Sequence, residues 1–150
     1  GGLELACAAH IRVAEPSAYF ALPEGQRGIF VGGGGSVRLP RLIGVARMAD
    51  MMLTGRVYSA TEGAAYGFSQ YLVEAGCALP KALELAERVA ANAPLTNFAV
   101  LQALPLIAEA NPQTGLLMES LMATVAQSDK EAKRRIRAFL DRKTAKVKPT

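Results

Sequence analysis

The sequence predicts a mixed α/β opening followed by an all-helical remainder. Short apolar segments of extended type alternate with glycine-punctuated helical stretches in the first part. From Pro80 onward, apolar residues recur at helical spacing and the remainder reads as helix. Of 150 residues, 51% are hydrophobic and 20% charged, which indicates a folded globular chain with a core to bury and argues against disorder.

The elements follow in order. Residues 1–9 form a short helix carrying Glu4, with amide donors at Gly1 and Gly2. Residues 11–14 and 18–21 are short strands joined through the turn signal Glu15-Pro16-Ser17. After a run of glycines, Ser36 is expected to cap a helix through Arg41 that Gly44 breaks. Residues 45–53 form another helix, ended by Thr54-Gly55. Ser59-Ala60-Thr61-Glu62 is a capping box, and its helix stops near Gly67. Tyr71-Leu72-Val73 is a brief extended piece. Beyond Pro80, Ala82, Leu85, Ala86, Val89 and Ala90 share one helix face. Pro94 opens a helix through Phe98, Leu101 and Ile107, kinked or ended near Pro105. Asn111-Pro112 marks a turn, and Leu117, Leu121 and Val125 stripe the next helix. Ser128-Asp129 caps a last, basic helix to about Lys143. The helical part presents more apolar face than a thin layer buries, which predicts an oligomer interface.

Composition narrows the function classes. Aromatic content is 6% with no Trp, predicting a core of Ala, Leu, Val, Ile and Met. Cys7 and Cys77 read as buried thiols in a reducing, cytoplasmic setting rather than as a disulfide framework. His, Cys and Asp do not cluster, so no metal site is expected. His10, the only histidine, has no nucleophile at motif spacing and is expected to be structural. No apolar run is long enough to span a bilayer, and no signal-peptide pattern is present. The chain opens inside a glycine motif without Met, which reads as part of a longer chain or as a trimmed one. The net charge of +4 gathers between Lys130 and Lys148, opposed only by Glu131 and Asp141. That tail reads as a solvated helix face, a phosphate site or a nucleic-acid surface. No aromatic residues alternate with its charges, which weighs against single-strand binding, and no nucleic-acid partner is expected.

The least ordinary stretch is 20–42. It places Glu24 after an apolar segment and then four consecutive glycines, Gly32 to Gly35. Glycine runs cost backbone entropy on folding, so this one needs a reason. The candidates are positive φ, close approach of a ligand, or bare N–H groups at a helix start. A helix leading into a strand that turns and returns along a second strand would bring Glu4 and Glu24 together.

Gly1-Gly-Leu-Glu-Leu-Ala6, Ala18-Tyr-Phe-Ala-Leu-Pro-Glu24, the Gly32–Gly35 run with Ser36-Val-Arg-Leu39, and Leu53-Thr-Gly55 resemble the enoyl-CoA hydratase/isomerase (crotonase) family, in order and spacing. Ala60-Thr-Glu-Gly-Ala64, Gly67-Phe68, Ala93-Pro94 and Ala138-Phe139 extend the resemblance toward the C-terminus. It covers essentially the whole chain and corresponds to the second half of the family domain. The implied fold is α/β: the C-terminal part of a ββα spiral core with the active-site motifs over 1–78, then a helical oligomerisation and CoA-contacting region over 79–150.

The resemblance implies an acyl-CoA enzyme, a hydratase of 2-enoyl-CoA. Glu4 would be the base that takes a proton from water and Glu24 the acid that protonates the α-carbon. Such neighbours should have their pKa values pushed apart. Gly1 matches an oxyanion-hole amide, and Gly1, Gly2, Pro23, Glu24 and Gly32 match substrate-binding positions. Phe139, Arg142 and Lys143 match the region near the CoA adenine and 3′-phosphate. It further implies a homotrimer or dimer of trimers, no membrane association, and no cofactor beyond the CoA carried by the substrate. Departures are Val31 where the family has proline, His10 where Asp is common, and Arg134-Arg135 in place of Glu-Gly. Isomerase, decarboxylase and thioesterase relatives, a catalytically dead acyl-CoA-binding or oligomerisation module, and a basic RNA-binding protein are the competing readings. Both glutamates together favour the hydratase.

Overall fold

The computed structural model describes residues 1–144, and the end of the basic tail at Lys148 lies outside them. The structure is a mostly helical α/β arrangement in two compact units, Gly1–Leu85 and a second beginning at Ala86.

In the first unit, α1 (Gly2–Ala8) leads to β1 (Val13–Ala14) and β2 (Tyr19–Phe20), then a 3₁₀ turn at Gly25–Arg27. There follow α2 (Gly35–Ile43), α3 (Val45–Thr54), β3 (Tyr58–Ser59), α4 (Ala60–Tyr66) and β4 (Tyr71–Leu72); the unit boundary falls within α5 (Ala78–Ala90). Both expected strands shrink to two residues, and they do not pair with each other. Instead β1 runs parallel to β4, Val13 opposite Tyr71, and β2 runs antiparallel to β3, Phe20 opposite Tyr58. The strands expected over 11–14 and 18–21 therefore do not form a hairpin with each other.

The helix stops read from sequence are present, and their geometry explains them. Gly44, Gly55 and Gly67 all have positive φ (85°, 77° and 90°), where a side chain is strained. The Ser59 hydroxyl accepts from the Glu62 amide while the Glu62 carboxylate accepts from the Ser59 amide, the reciprocal box that opens α4. Ser36 is not a cap: α2 starts at Gly35, with Gly34 at the cap position and no side-chain bond of its own.

The core corrects the aliphatic expectation. Phe20 stacks on Phe68 with centroids 4.7 Å apart, and Tyr58 tilts against Phe68 at 5.4 Å. Leu22, Leu39, Ile43, Met48 and Met51 belong to the same buried cluster as these rings. Two of these rings, Phe20 and Tyr58, stand opposite each other where β2 and β3 pair. Cys7 joins this core while Cys77 is exposed, so only one thiol is buried. His10 is exposed too.

The second unit comprises α6 (Pro94–Phe98), a π-helical segment at Ala99–Ala103, α7 (Leu104–Glu109), α8 (Pro112–Ser128) and α9 (Lys130–Leu140). The single helix expected from Pro94 is thus three pieces, with the wide π turn immediately before Leu104-Pro105; a proline lacking its N–H disrupts the ladder there. The Asn111 side chain accepts from the Thr114 amide and caps α8. Asp129 stands at the cap of α9 without a side-chain bond, and α9 ends at Leu140, short of Lys143. The stripe Leu117, Leu121 and Val125 is exposed. On α5 only Leu85 of the predicted face is buried. No helix among the described residues is long and apolar enough to cross a membrane.

One packing contact yields a direct test. A Cβ on Gly63 of α4 would lie 2.1 Å from the Phe20 ring, which is already stacked against Phe68. Gly63→Val is expected to destabilise the protein by about 1–3 kcal/mol, the usual cost of overpacking. Urea unfolding reads it; an unchanged midpoint would show that the Phe20 ring moves aside freely.

Candidate active site

The site is organised by the carboxylate of Glu4, which stands in the first turn of α1 and is only 7% exposed. A buried carboxylate is costly unless hydrogen bonds replace its water. Here its Oε1 accepts from the Gly33 amide at 2.8 Å and from the Gly35 amide at 2.9 Å. These donors belong to the loop before α2 and its first residue, so Glu4 caps a helix 29 to 31 positions away in sequence. The Gly35 amide, then that of Gly33, holds the carboxyl below its ordinary value; burial pushes the other way.

The glycine run separates into distinct requirements. A Cβ on Gly35 would fall 2.9 Å from the Glu4 Cγ and Oε1, and one on Gly33 would fall 3.1 Å from Oε2. Gly34 has φ of 91°. Gly32, by contrast, is exposed with open space around it. Close approach, positive φ and bare amides are all in use. The group that approaches is the protein's own glutamate.

Glu24 sits at the start of the Gly25–Arg27 turn, where its carbonyl accepts from the Arg27 and Ile29 amides at 3.0 and 3.1 Å. The residue is half-buried, and its Oε2 is buried with no hydrogen-bond partner among the described residues. Such an atom normally finds a partner, so it marks a place where a water or ligand belongs. Gly25 is held tightly: a Cβ there would lie 2.0 Å from the Met52 carbonyl of α3. Pro23 is half-buried beside Glu24. Gly1 caps α1, its carbonyl accepting from the Leu5 amide at 2.9 Å, and Gly2 opens the helix; both are exposed.

The fold brings Glu4 into bonded contact with the glycine run and places it on one short helix with Gly1 and Gly2. It does not bond Glu24 to any of them. Phe139, Arg142 and Lys143 belong to the second unit, at and beyond the end of α9. Phe139 is 69% exposed, Arg142 has φ of 56°, and the Lys143 ammonium donates to Asp141 at 3.3 Å. Among the described residues, no group of His, Cys, Asp and Glu is arranged to hold a metal ion.

Two buried or bonded groups had no motif to announce them. The carboxylate of Glu15 accepts from the Ala78 amide at 2.9 Å, which lowers its pKa and caps α5 from across the unit. Arg12, 9% exposed, donates from Nε to the Phe68 carbonyl at 2.7 Å and from Nη1 to the Ala9 carbonyl at 2.6 Å. Arg12 therefore ties α1 to the turn after α4. A charged residue in a strand-like stretch was the only signal available for it.

Residues 1–149 match the family model described as enoyl-CoA hydratase/isomerase. The chain belongs to the enoyl-CoA hydratase/isomerase family. It is similar, at 87% identity and a TM-score of 0.91, to a crystal structure from Rhodopseudomonas palustris CGA009 provisionally named an enoyl-CoA hydratase, covering 98% of this chain and 57% of that one. It is 36% identical to the short-chain-enoyl-CoA hydratase of Clostridioides difficile over 93% of this chain and 90% of that protein. It is 34% identical to a provisionally named enoyl-CoA hydratase/isomerase of Bacillus subtilis (strain 168) over 99% of this chain. The chain spans 57% of the length of that Bacillus relative. The family and its crotonase fold are thus established, and the exposed apolar and half-buried acidic groups are to be read within it.

Because the Glu4 carboxyl is held below its ordinary value of 4.5, its charge stabilises the fold at pH above 4.5, and that contribution is lost as pH falls through the lower folded value. The stability difference between the wild-type protein and Glu4→Gln is therefore expected to shrink on acidification below 4.5. Urea titrations across that window read it, and a flat difference would mean that the amides do not sense the charge.

Proposed function

We propose that the protein is an enoyl-CoA hydratase, adding water across the 2,3 double bond of a 2-enoyl-CoA thioester. The observation that carries this reading is a pair of unlike carboxyl groups on one unit. Glu4 is buried and held charged by two amides on a single oxygen. Glu24 keeps a buried oxygen with no partner.

Hydration needs one group to take a proton from water and another to deliver one to carbon. Glu4, with Oε1 saturated by amides, offers its other oxygen to the water. The hydroxyl oxygen bonds to C3 as Glu4 takes the proton, and the π electrons move through C2 to the thioester oxygen. Glu24 in its protonated form then gives a proton to C2, and the enolate returns to a carbonyl. Exchange with solvent resets both groups, so the net addition is one water. The Gly1 amide at the start of α1 would stabilise the enolate oxygen, where one donor is worth about 3 kcal/mol in the transition state. Gly2, Pro23 and Gly32 would line the thioester. Phe139, Arg142 and Lys143 are candidate contacts for a CoA adenine and 3′-phosphate by family resemblance alone.

The same reading assigns this chain to the C-terminal half of the family domain, with no cofactor beyond substrate CoA and a cytoplasmic setting. The exposed stripe Leu117, Leu121 and Val125 supports assembly into a trimer or a dimer of trimers.

Turnover of crotonyl-CoA is expected to exceed that of a 3-enoyl-CoA. Glu4→Gln and Glu24→Gln should each lower kcat by about 100-fold or more, the usual contribution of a general acid or base. A full hydration rate in either variant, or faster turnover of the 3-enoyl substrate, would refute the assignment.

A further inference from the structure

Arg38 occupies the fourth position of α2, where a cation opposes the helix dipole. Its side chain nonetheless folds back toward the helix start. Nη1 donates to the Gly33 carbonyl at 3.1 Å. The guanidinium also fills the space above Gly34, where a Cβ would stand only 2.1 Å from Nη1. Gly34 is therefore glycine for two reasons, its φ of 91° and the arginine lying over it.

The bond falls in the segment that needs it. Gly32 to Gly35 is the most freely rotating backbone that four residues can make, and each glycine loses more conformational freedom on ordering than any other residue. Yet the Gly33 and Gly35 amides must converge on one oxygen of Glu4. The Gly33 carbonyl lies on the peptide between those two donors. A guanidinium fixed to that carbonyl and packed over Gly34 sets the rotation of the intervening peptide.

We propose that Arg38 is a positioning residue for Glu4, locking the glycine loop so that both amides hold Oε1 and leave the second oxygen fixed in direction. This rests on the reading of Glu4 as the base that orients water. Arg38 acts through the loop and does not itself touch the carboxylate. The other titratable group beside Glu4 is Cys7 on its own helix; Cys7 in turn faces Arg12 and, from α2, Arg38.

The test is a carboxyl-carbon NMR titration of Glu4 in the wild-type protein, Arg38→Met and Arg38→Lys, alongside the pH profile of crotonyl-CoA hydration. Arg38 is exposed, and Leu39 and Ile43 remain to hold α2 in the core. In Arg38→Met the Glu4 titration should move up toward the ordinary glutamate value, and the Gly33 and Gly35 amide signals should shift with it. The acid limb of kcat should move the same way, and kcat should fall about 10- to 100-fold with KM within about twofold, as expected for a misaligned group. Arg38→Lys, which keeps one donor, should recover part of both effects. A Glu4 titration in Arg38→Met that superimposes on the wild type would overturn the proposal. A Glu4 shift in a protein that hydrates nothing would sustain the clamp and instead sink the hydratase assignment.

Discussion

The first unit depends on one carboxylate oxygen receiving two backbone amides. A carboxylate as buried as Glu4 is tolerable only if charge-assisted hydrogen bonds replace its water. The amides of a helix start are the densest source of such donors. Those donors lie in a loop that must come within 3 Å of the side chain, and the Gly35 Cα can do so only without a Cβ. From this follow the glycines, the position of α2 against α1, and the burial of Leu39 and Ile43 beneath them. The charge and the fold are therefore one arrangement: helix start and glutamate each satisfy what the other leaves open.

How far the sequence discloses this differs from residue to residue. Gly44, Gly55 and Gly67 were legible as helix ends because a C-terminal glycine acts locally. The Ser59–Glu62 box was legible because both its bonds lie within one turn. Partners far along the chain were not. Nothing near Val13 names Tyr71 as its neighbour, and a two-residue strand carries too short an alternation to set a register. The glycine run required a reason, and positive φ, close approach of a ligand and bare N–H groups fit it equally. Choosing among them required knowing that Glu4 reaches it. Family resemblance marked Glu4 and Glu24 as functional residues. It did not disclose that one is saturated by amides on a single oxygen while the other keeps a bare one.

The second unit shows the same division between local and remote information. Helical spacing identified its helices, because periodicity is a property of the segment itself. Burial is a property of the neighbours, and the Leu117, Leu121 and Val125 face of α8 lies open. An amphipathic stripe specifies that a partner is wanted without specifying which. The π segment at Ala99–Ala103 has a more definite cause in Pro105, whose missing N–H leaves a carbonyl of the preceding turn to find another donor.

Glu15 provides an internal control on the catalytic reading of Glu4. Both are carboxylates reaching across the first unit to amides at the start of a distant helix, and in both the amide of that helix's first residue, Gly35 or Ala78, is the main cause of a lowered pKa. The amide cradle by itself therefore identifies a structural cap as readily as a base. What separates the two is their surroundings. Glu15 meets α5 from the turn after β1, with no orphaned acid named beside it in the chain's motifs. Glu4 shares its helix with the Gly1 and Gly2 amides and its loop with the segment that leads out of Glu24, whose oxygen is buried and unbonded. A cap needs only to be satisfied. A base must be satisfied on one side and reach water on the other; the Gly33 and Gly35 amides on Oε1 meet the first demand, and the proposed role of Glu4 rests on the second.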